Sequence, residues 1–210
     1  MLYTCKLRVK CQFICVVDQL IFRHYNSVNV FTNFYNSGVQ SSLRPLDASK
    51  LKFTRTTTPM TVPAPGDPII ATASQCTDHM ITAVWKSATG WEAPELRPYG
   101  NLSLAPTASV LHYATECFEG MKMYRGFDGK LRLFRPDCNC RRMLMSSTRI
   151  SLPGFDPKEL EKLIMAMISV DGPKWLPEPG THLYLRPTMI GSGGALGVAT
   201  PKEATLFVIA

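Results

Sequence analysis

The sequence predicts an α+β fold, a largely antiparallel sheet with two helices laid against it. Three observations carry this prediction. Short apolar alternations bounded by Gly and Pro recur after residue 79, a strand–turn–strand pattern surrounds Asp128-Gly129, and two stretches after Pro136 and Asp156 change to a helical period.

The elements follow in order. Met80 to Trp85 and Leu102 to Leu104 read as strands. MKMYRG, FDGK and LRLF then form strand, turn and strand, with Asp128-Gly129 supplying the turn of a tight hairpin. CFEGMKMYRG, residues 117–126, is thus mostly the first arm of that hairpin. DCNCRRMLMSSTRI, after Pro136, predicts a helix with Met143, Leu144 and Ile150 on its apolar side. The clearest helix begins at Asp156 as N-cap, with Pro157 in the first turn and Glu159 three residues after the cap. Leu160, Leu163, Ile164, Met167 and Ile168 fall on one face of it, and Asp171-Gly172-Pro173 predicts its end. THLYLRPTMIG alternates as a strand that puts Tyr184 and Arg186 on one face and Leu183 and Leu185 on the other. ATLFVIA reads as a buried strand.

The 210 residues suit one ordinary domain, and 45% hydrophobic content is that of a globular chain. The net charge of +7 is unevenly placed: residues 1–55 hold eight basic residues against two acids, the remainder fifteen against fourteen. A nearly neutral folded part argues against a nucleic-acid module. Residues 1–45 are basic, rich in Ser, Asn and aromatics, and hold a single acid, Asp18, which reads as a mitochondrial targeting leader. A cytoplasmic protein with an atypical leader is the alternative, and a secretory signal competes without a small-residue cleavage site. The apolar run Cys11 to Phe22 is too short for the roughly 20 residues of a membrane span. Residues 46–68, ending in the Pro and Thr tract TTTPMTVPAPGDP, are expected as an extended linker, with the folded domain over 69–210. Seven irregularly spaced cysteines and four solitary histidines point away from a disulfide framework and from a metal site.

Several side chains carry possible chemistry. Tyr184 and Arg186 offer a phenol and a guanidinium on one strand face, an anion site or simply an exposed surface. Arg141-Arg142 is either a solvated pair or an anion site, and His112-Tyr113 either a polar site pair or partly buried aromatics. Glu119 before Gly120 reads as a turn or network residue rather than a general acid or base, because catalytic carboxyls usually come paired with a second titrating group. GSGGALG, residues 191–197, lacks the Lys-Ser/Thr that completes a phosphate loop.

TDHM (77–80), SVLHYATECFEGMKMYRG (109–126), LRLFRPDCNCRRM (131–143), LPGFD (152–156), LYLRPTMIG (183–191) and LGV (196–198) together resemble, in order and spacing, the eukaryotic branched-chain amino-acid aminotransferases. These are pyridoxal-phosphate enzymes of fold type IV. The resemblance covers roughly residues 45–210 and implies the small domain of that fold, without the large cofactor domain. It implies that Arg142 holds the phosphate of pyridoxal 5'-phosphate, that Tyr184 and Arg186 are substrate-pocket residues, and that Tyr113, Leu196 and Val198 close the pocket of the neighbouring subunit of a homodimer. Branched-chain amino acids and 2-oxo acids are the implied substrates, with 2-oxoglutarate as the amino acceptor. The family's pocket phenylalanine has no counterpart where this chain reads ATASQC. The resemblance also implies that the covalent Schiff-base lysine lies beyond Ala210, so this chain is expected to be inactive alone; Lys122 matches a non-catalytic hairpin position and Lys202 sits in a polar turn. The competing expectation is a non-catalytic dimerisation module or truncated product that pairs with a full-length subunit.

Overall fold

The structure is a computed structural model that describes residues 43–210. The targeting-leader expectation falls almost wholly outside the described residues.

The described chain is α+β, as the periodicities predict. Nine strands form one sheet in the order β1 (Lys52–Phe53), β4 (Glu95–Pro98), β2 (His79–Lys86), β9 (Glu203–Ile209), β8 (His182–Gly191), β6 (Met121–Arg125) and β7 (Leu131–Leu133), with β3 (Gly90–Trp91) on β2 and β5 (Glu116–Phe118) on β8. Among these nine strands β1 with β4 is the one parallel pairing, and an isolated parallel bridge joins Arg44 to Gly90. ATLFVIA becomes the central strand: Leu206 stands between Ala83 of β2 and Met189 of β8, all three buried. Alternate side chains Ala204, Leu206 and Val208 point into the core, the period-2 pattern of a strand with one buried face.

Two long helices cover that face, and two short ones, α1 (Pro68–Thr72) and α2 (Ser109–Tyr113), serve the loops. Helix α3 (Pro136–Arg149) starts at a proline whose missing N–H costs nothing in a first turn, and buries Cys140 and Met143. Helix α4 (Pro157–Trp175) opens where Asp156 accepts a hydrogen bond from the Lys158 amide (2.9 Å). Its Leu160, Leu163, Ile164 and Met167 are fully buried in the shared core. Glu159 does not reach back to the cap; its carboxylate accepts from the Ala48 amide (2.8 Å) and so ties the N-terminal stretch to the helix.

Four local expectations are corrected. Helix α4 runs through Asp171-Gly172-Pro173 rather than ending there. Proline inside a helix removes one backbone bond, and here side chains on both sides compensate by tertiary contacts. Asp171 accepts from the His79 amide (2.9 Å) and its Nδ1 (2.6 Å), while Lys174 and Trp175 both donate to Asp78 (2.6 and 3.2 Å). Gly172 serves packing: a Cβ there would lie 2.7 Å from Leu131 and 2.9 Å from Met123. Leu102 to Leu104 is not a strand, because both edges of the neighbouring β4 are already taken by β1 and β2. The hairpin turn is longer than a two-residue one. Gly126 donates to the Lys130 carbonyl (2.9 Å), and Gly129, at φ 76°, takes the left-handed position of a three-residue loop. Finally, residues 46–68 are not an extended linker throughout. Leu46 is buried in the core, Ala48–Lys50 forms a 3-10 turn, and β1 joins the sheet.

The strap that follows β1 is pinned by two buried groups. The Thr56 amide donates to His79 Nε2 (3.0 Å), and the Met60 amide to Asp78 (2.7 Å). Burial alone would raise the Asp78 pKa, but its donors Lys174, the Met60 amide and Trp175 outweigh it and hold the carboxyl below the ordinary value of 3.8. A depressed folded pKa contributes stability above the unfolded value and loses it as pH falls through the lower folded one. Urea titrations from pH 6 downwards are therefore expected to show stability falling below about pH 4, with a shallower fall in Asp78→Asn. Identical pH slopes in the two proteins would refute the assignment.

Candidate functional site

The outer face of β5, β6 and β8 gathers most of the residues singled out in the sequence. Strand β8 is long enough to pair with two successive strands, with Lys122 and Met121 of β6 opposite Tyr184 and Leu185, and Phe118 and Cys117 of β5 opposite Thr188 and Met189. Between β5 and β6 the ladder breaks at Glu119-Gly120, where the Glu119 amide donates to the Pro187 carbonyl (2.9 Å). CFEGMKMYRG is therefore two strands with a functional gap between them.

Period-2 geometry puts Tyr184 and Arg186 together on this face, as expected. Arg186 Nη2 donates to the Tyr184 hydroxyl (3.0 Å), and its guanidinium carbon lies 4.3 Å from the Phe118 ring centre and 5.1 Å from that of Tyr184. Stacking of this kind holds a guanidinium flat and favours the cation. Arg186 Nε is buried without a hydrogen-bond partner. A buried N–H left unpaired costs free energy, and because no ligand can touch it there, the Nη groups are the part of the fork left to meet an anion. Both readings of Tyr184 and Arg186 have this stacked pair at their centre.

Arg142 is held differently. Its Nε and Nη2 donate to the two oxygens of Glu119 (2.9 and 2.7 Å), a bidentate pair. Glu119 raises the Arg142 pKa still further. Asn139, one turn earlier on α3, donates to Glu119 (3.0 Å) and to the Gly120 carbonyl (2.9 Å). The Glu119 carboxylate is thus a network group, as its lone position suggested. Lys122 is exposed across the strand from Tyr184 and takes no part in that network. Arg141 pairs with Asp137 (2.6 Å) on the solvent side of α3, the bland half of the Arg141-Arg142 reading.

Gly120 connects the two arginines. A Cβ at this position would fall on the Tyr184 ring, 2.7 Å from Cζ, with the hydroxyl closer still. Gly120→Ala is expected to push Tyr184 off Arg186 and to cost about 1–3 kcal/mol through overpacking. Denaturant unfolding together with the Tyr184 ring resonances would check this; an unmoved ring would show that the close approach is unimportant.

A second group forms where α2 meets the glycine-rich loop. The Tyr113 hydroxyl donates to the Leu196 carbonyl, the Ala195 amide to the Thr107 carbonyl (3.1 Å), and the Ser109 amide to the Gly193 carbonyl (3.2 Å). The Ser192, Gly193 and Ala195 amides are all spent on backbone carbonyls, so these three are not left for a phosphate. Tyr113 and Leu196 are brought together and, with Val198, are exposed. His112 turns back to the Pro106 carbonyl (2.8 Å).

Phe118, Gly120 and Asn139 escaped the sequence reading. The spacing Asn139 to Arg142, one helical turn, was the one signal that could have raised Asn139. Burial pushes the Cys117 thiol up to about 11 and Cys140 up to about 12, so neither is a nucleophile at neutral pH. Among the described residues no group of three or more His, Cys, Asp or Glu is placed to hold a metal ion, and no helix is long and apolar enough to cross a membrane.

Fold and site together define an α+β module that presents one stacked and one clamped arginine on a single sheet face. Comparison narrows this. The chain is 51% identical over 168 residues to the cytosolic branched-chain-amino-acid aminotransferase of Saccharomyces cerevisiae, covering 80% of this chain and 44% of that protein. The mitochondrial yeast enzyme is 48% identical over 165 residues, and the cytosolic enzyme of Mus musculus 53% over 134, covering 42% and 34% of those proteins. A solved branched-chain aminotransferase from Thermoproteus uzoniensis aligns with 61% of this chain and 40% of its own, at 22% identity and a TM-score of 0.46. No family model matches the chain. By sequence the chain belongs with the branched-chain aminotransferases, as its motifs implied, and it spans less than half the length of the curated relatives it matches.

Proposed function

We propose that this chain supplies the anion-gripping and substrate-facing part of a pyridoxal-phosphate-dependent transaminase that exchanges the amino group between a branched-chain amino acid and 2-oxoglutarate. The observation that carries this reading is the Arg186 guanidinium stacked on the Phe118 and Tyr184 rings, with its Nη2 on the Tyr184 hydroxyl (3.0 Å). The pair fits the carboxylate shared by amino-acid and 2-oxo-acid substrates: the guanidinium gives direction and charge, the phenol a further hydrogen bond.

Arg142 fits the cofactor's phosphate, because Glu119 occupies Nε and one side of Nη2 and leaves the outer edge of the fork for an anion. When bound, the cofactor supplies the electron sink that lets the amino group change partners. Tyr113, fixed to the Leu196 carbonyl, together with Leu196 and Val198 offers an exposed apolar surface suited to a branched side chain across a homodimer interface. Neither Lys122 nor Lys202 is assigned the covalent role, both being exposed and outside the arginine network. We place the protein in mitochondria on the strength of its basic leader; its relatives include both mitochondrial and cytosolic enzymes.

Titrating the 210-residue chain with the 2-oxo acid of leucine, followed by NMR, tests the reading. Binding is expected in the native chain, with loss in Arg186→Ala and weakening in Tyr184→Phe. Equal shifts in native chain and Arg186→Ala would remove the carboxylate assignment. The exposed apolar side chains of Leu111, Leu196 and Val198 favour a second reading, a pairing module, which a hetero-dimer of the chain with a longer branched-chain aminotransferase subunit would support.

A further inference from the structure

Resting on the assignment of Arg142 to a phosphate group, we infer that Glu119 is the positioning residue that sets the Arg142 guanidinium for that anion, with Asn139 locking Glu119 from behind. The pair is asymmetric. The Glu119 side chain is 11% exposed and the Arg142 side chain 55%, so the acid is the fixed base and the guanidinium the presented group. The approach is side-on. Nε–H and one hydrogen of Nη2 are consumed (2.9 and 2.7 Å), and of the five N–H groups of an arginine the two on Nη1 and the second on Nη2 stay outside the clamp.

Glu119 is itself immobilised. Its amide is bound to the Pro187 carbonyl (2.9 Å), and Asn139, a buried side chain on α3, reaches both its carboxylate (3.0 Å) and the next carbonyl, that of Gly120 (2.9 Å). The backbone anchor and the Asn139 bond together keep the carboxylate from swinging away to make room for a ligand. A long arginine side chain has many rotamers, and an anion binding to an unclamped one would have to order it as well. The clamp removes that cost before the ligand arrives.

The opposing effect is charge: a carboxylate next to a cation weakens its attraction for another anion. The two effects predict opposite signs on removing Glu119, which makes the inference decidable. Inorganic phosphate and pyridoxine 5'-phosphate are suitable probes, since neither carries an aldehyde that would label lysines. Binding to the 210-residue chain is followed by the Arg142 Nε–H NMR resonance and by calorimetry.

The native chain is expected to bind both probes, and Arg142→Ala to lose that binding. Glu119→Ala is expected to weaken it about three- to tenfold, the discount from a fully buried charge-assisted pair reflecting the exposure of Arg142. Glu119→Gln, which keeps an acceptor oxygen, should restore part of the loss, and Asn139→Ala should show a smaller one. A merely structural role would lower the melting temperature of these variants while leaving the affinity of the folded chain unmoved, and that result would overturn the inference. So would unchanged or tighter binding in Glu119→Ala. Equal binding by the native chain and Arg142→Ala would instead show that the phosphate assignment is wrong, and the inference would fall with it.

Discussion

Asp171→Ala is expected to destabilise the protein by about 2–6 kcal/mol, about 1–3 kcal/mol for each of the two buried donors it leaves unmatched. Asp171 and His79 are both nearly inaccessible, and the single carboxylate accepts from two donors of His79, its amide (2.9 Å) and ring Nδ1 (2.6 Å). The other ring nitrogen takes the Thr56 amide (3.0 Å), so the imidazole links helix α4, strand β2 and the strap after β1. Removing the carboxylate leaves two buried donors unmatched. Asp171→Asn keeps one acceptor oxygen and should recover roughly half of the loss by the same accounting. Urea unfolding measures both. A loss below about 1 kcal/mol in the alanine variant would mean that the pair does not hold the strap, on the scale of ordinary surface substitutions.

Leu206→Ala is expected to cost about 2–5 kcal/mol, the range for a fully buried leucine whose cavity cannot collapse. Leu206 lies on the central strand with β2 and β8 on either side, and all of its flanking partners are held by ladder hydrogen bonds. On the core side it belongs to one continuous apolar cluster that also holds Leu160, Leu163 and Ile164 of helix α4. The surroundings therefore have little freedom to fill the space. Hydrogen exchange of β2, β8 and β9 should accelerate together in this variant, since the three strands share the lost support. Faster exchange confined to β9 would show that it is an appended edge rather than the centre of the sheet.

Much of the fold was legible because it rests on local periodicity. The spacing of Leu160, Leu163, Ile164 and Met167 requires a helix to bury them on one side, and alternation in THLYLRPTMIG requires a strand. The same alternation placed Tyr184 and Arg186 on one face before any tertiary contact was known. What local pattern misjudged were positions where a distant partner overrides propensity. Asp171-Gly172-Pro173 reads as a stop, yet Asp171 is bound to His79, and Gly172 makes room for Leu131 and Met123. Leu46 and Lys52–Phe53 read as linker because so short a stretch has no period to detect; Leu46 belongs to the same apolar cluster as Trp91, and Lys52–Phe53 joins the sheet by pairing with β4.

The candidate site divides in the same way. The sequence by itself determined which side chains are available, which elements carry them and, through several long motifs in order, the family to which they are related. Their working arrangement came from tertiary structure alone. Glu119 and Arg142 are 23 residues apart on different elements, and Gly120 and Tyr184 are farther still. Tyr113 meets Leu196 across 83 residues. Hydrogen bonds and close approaches of this kind depend on how the β5–β6 break, β8 and α3 are stacked, and that stacking is set by the burial of the common apolar face, which a linear pattern records only as hydrophobicity. Whether Glu119 is a reacting acid, a rival anion or a clamp depends on which atoms lie within 3 Å of it, and only the folded chain brings Arg142 and Asn139 there.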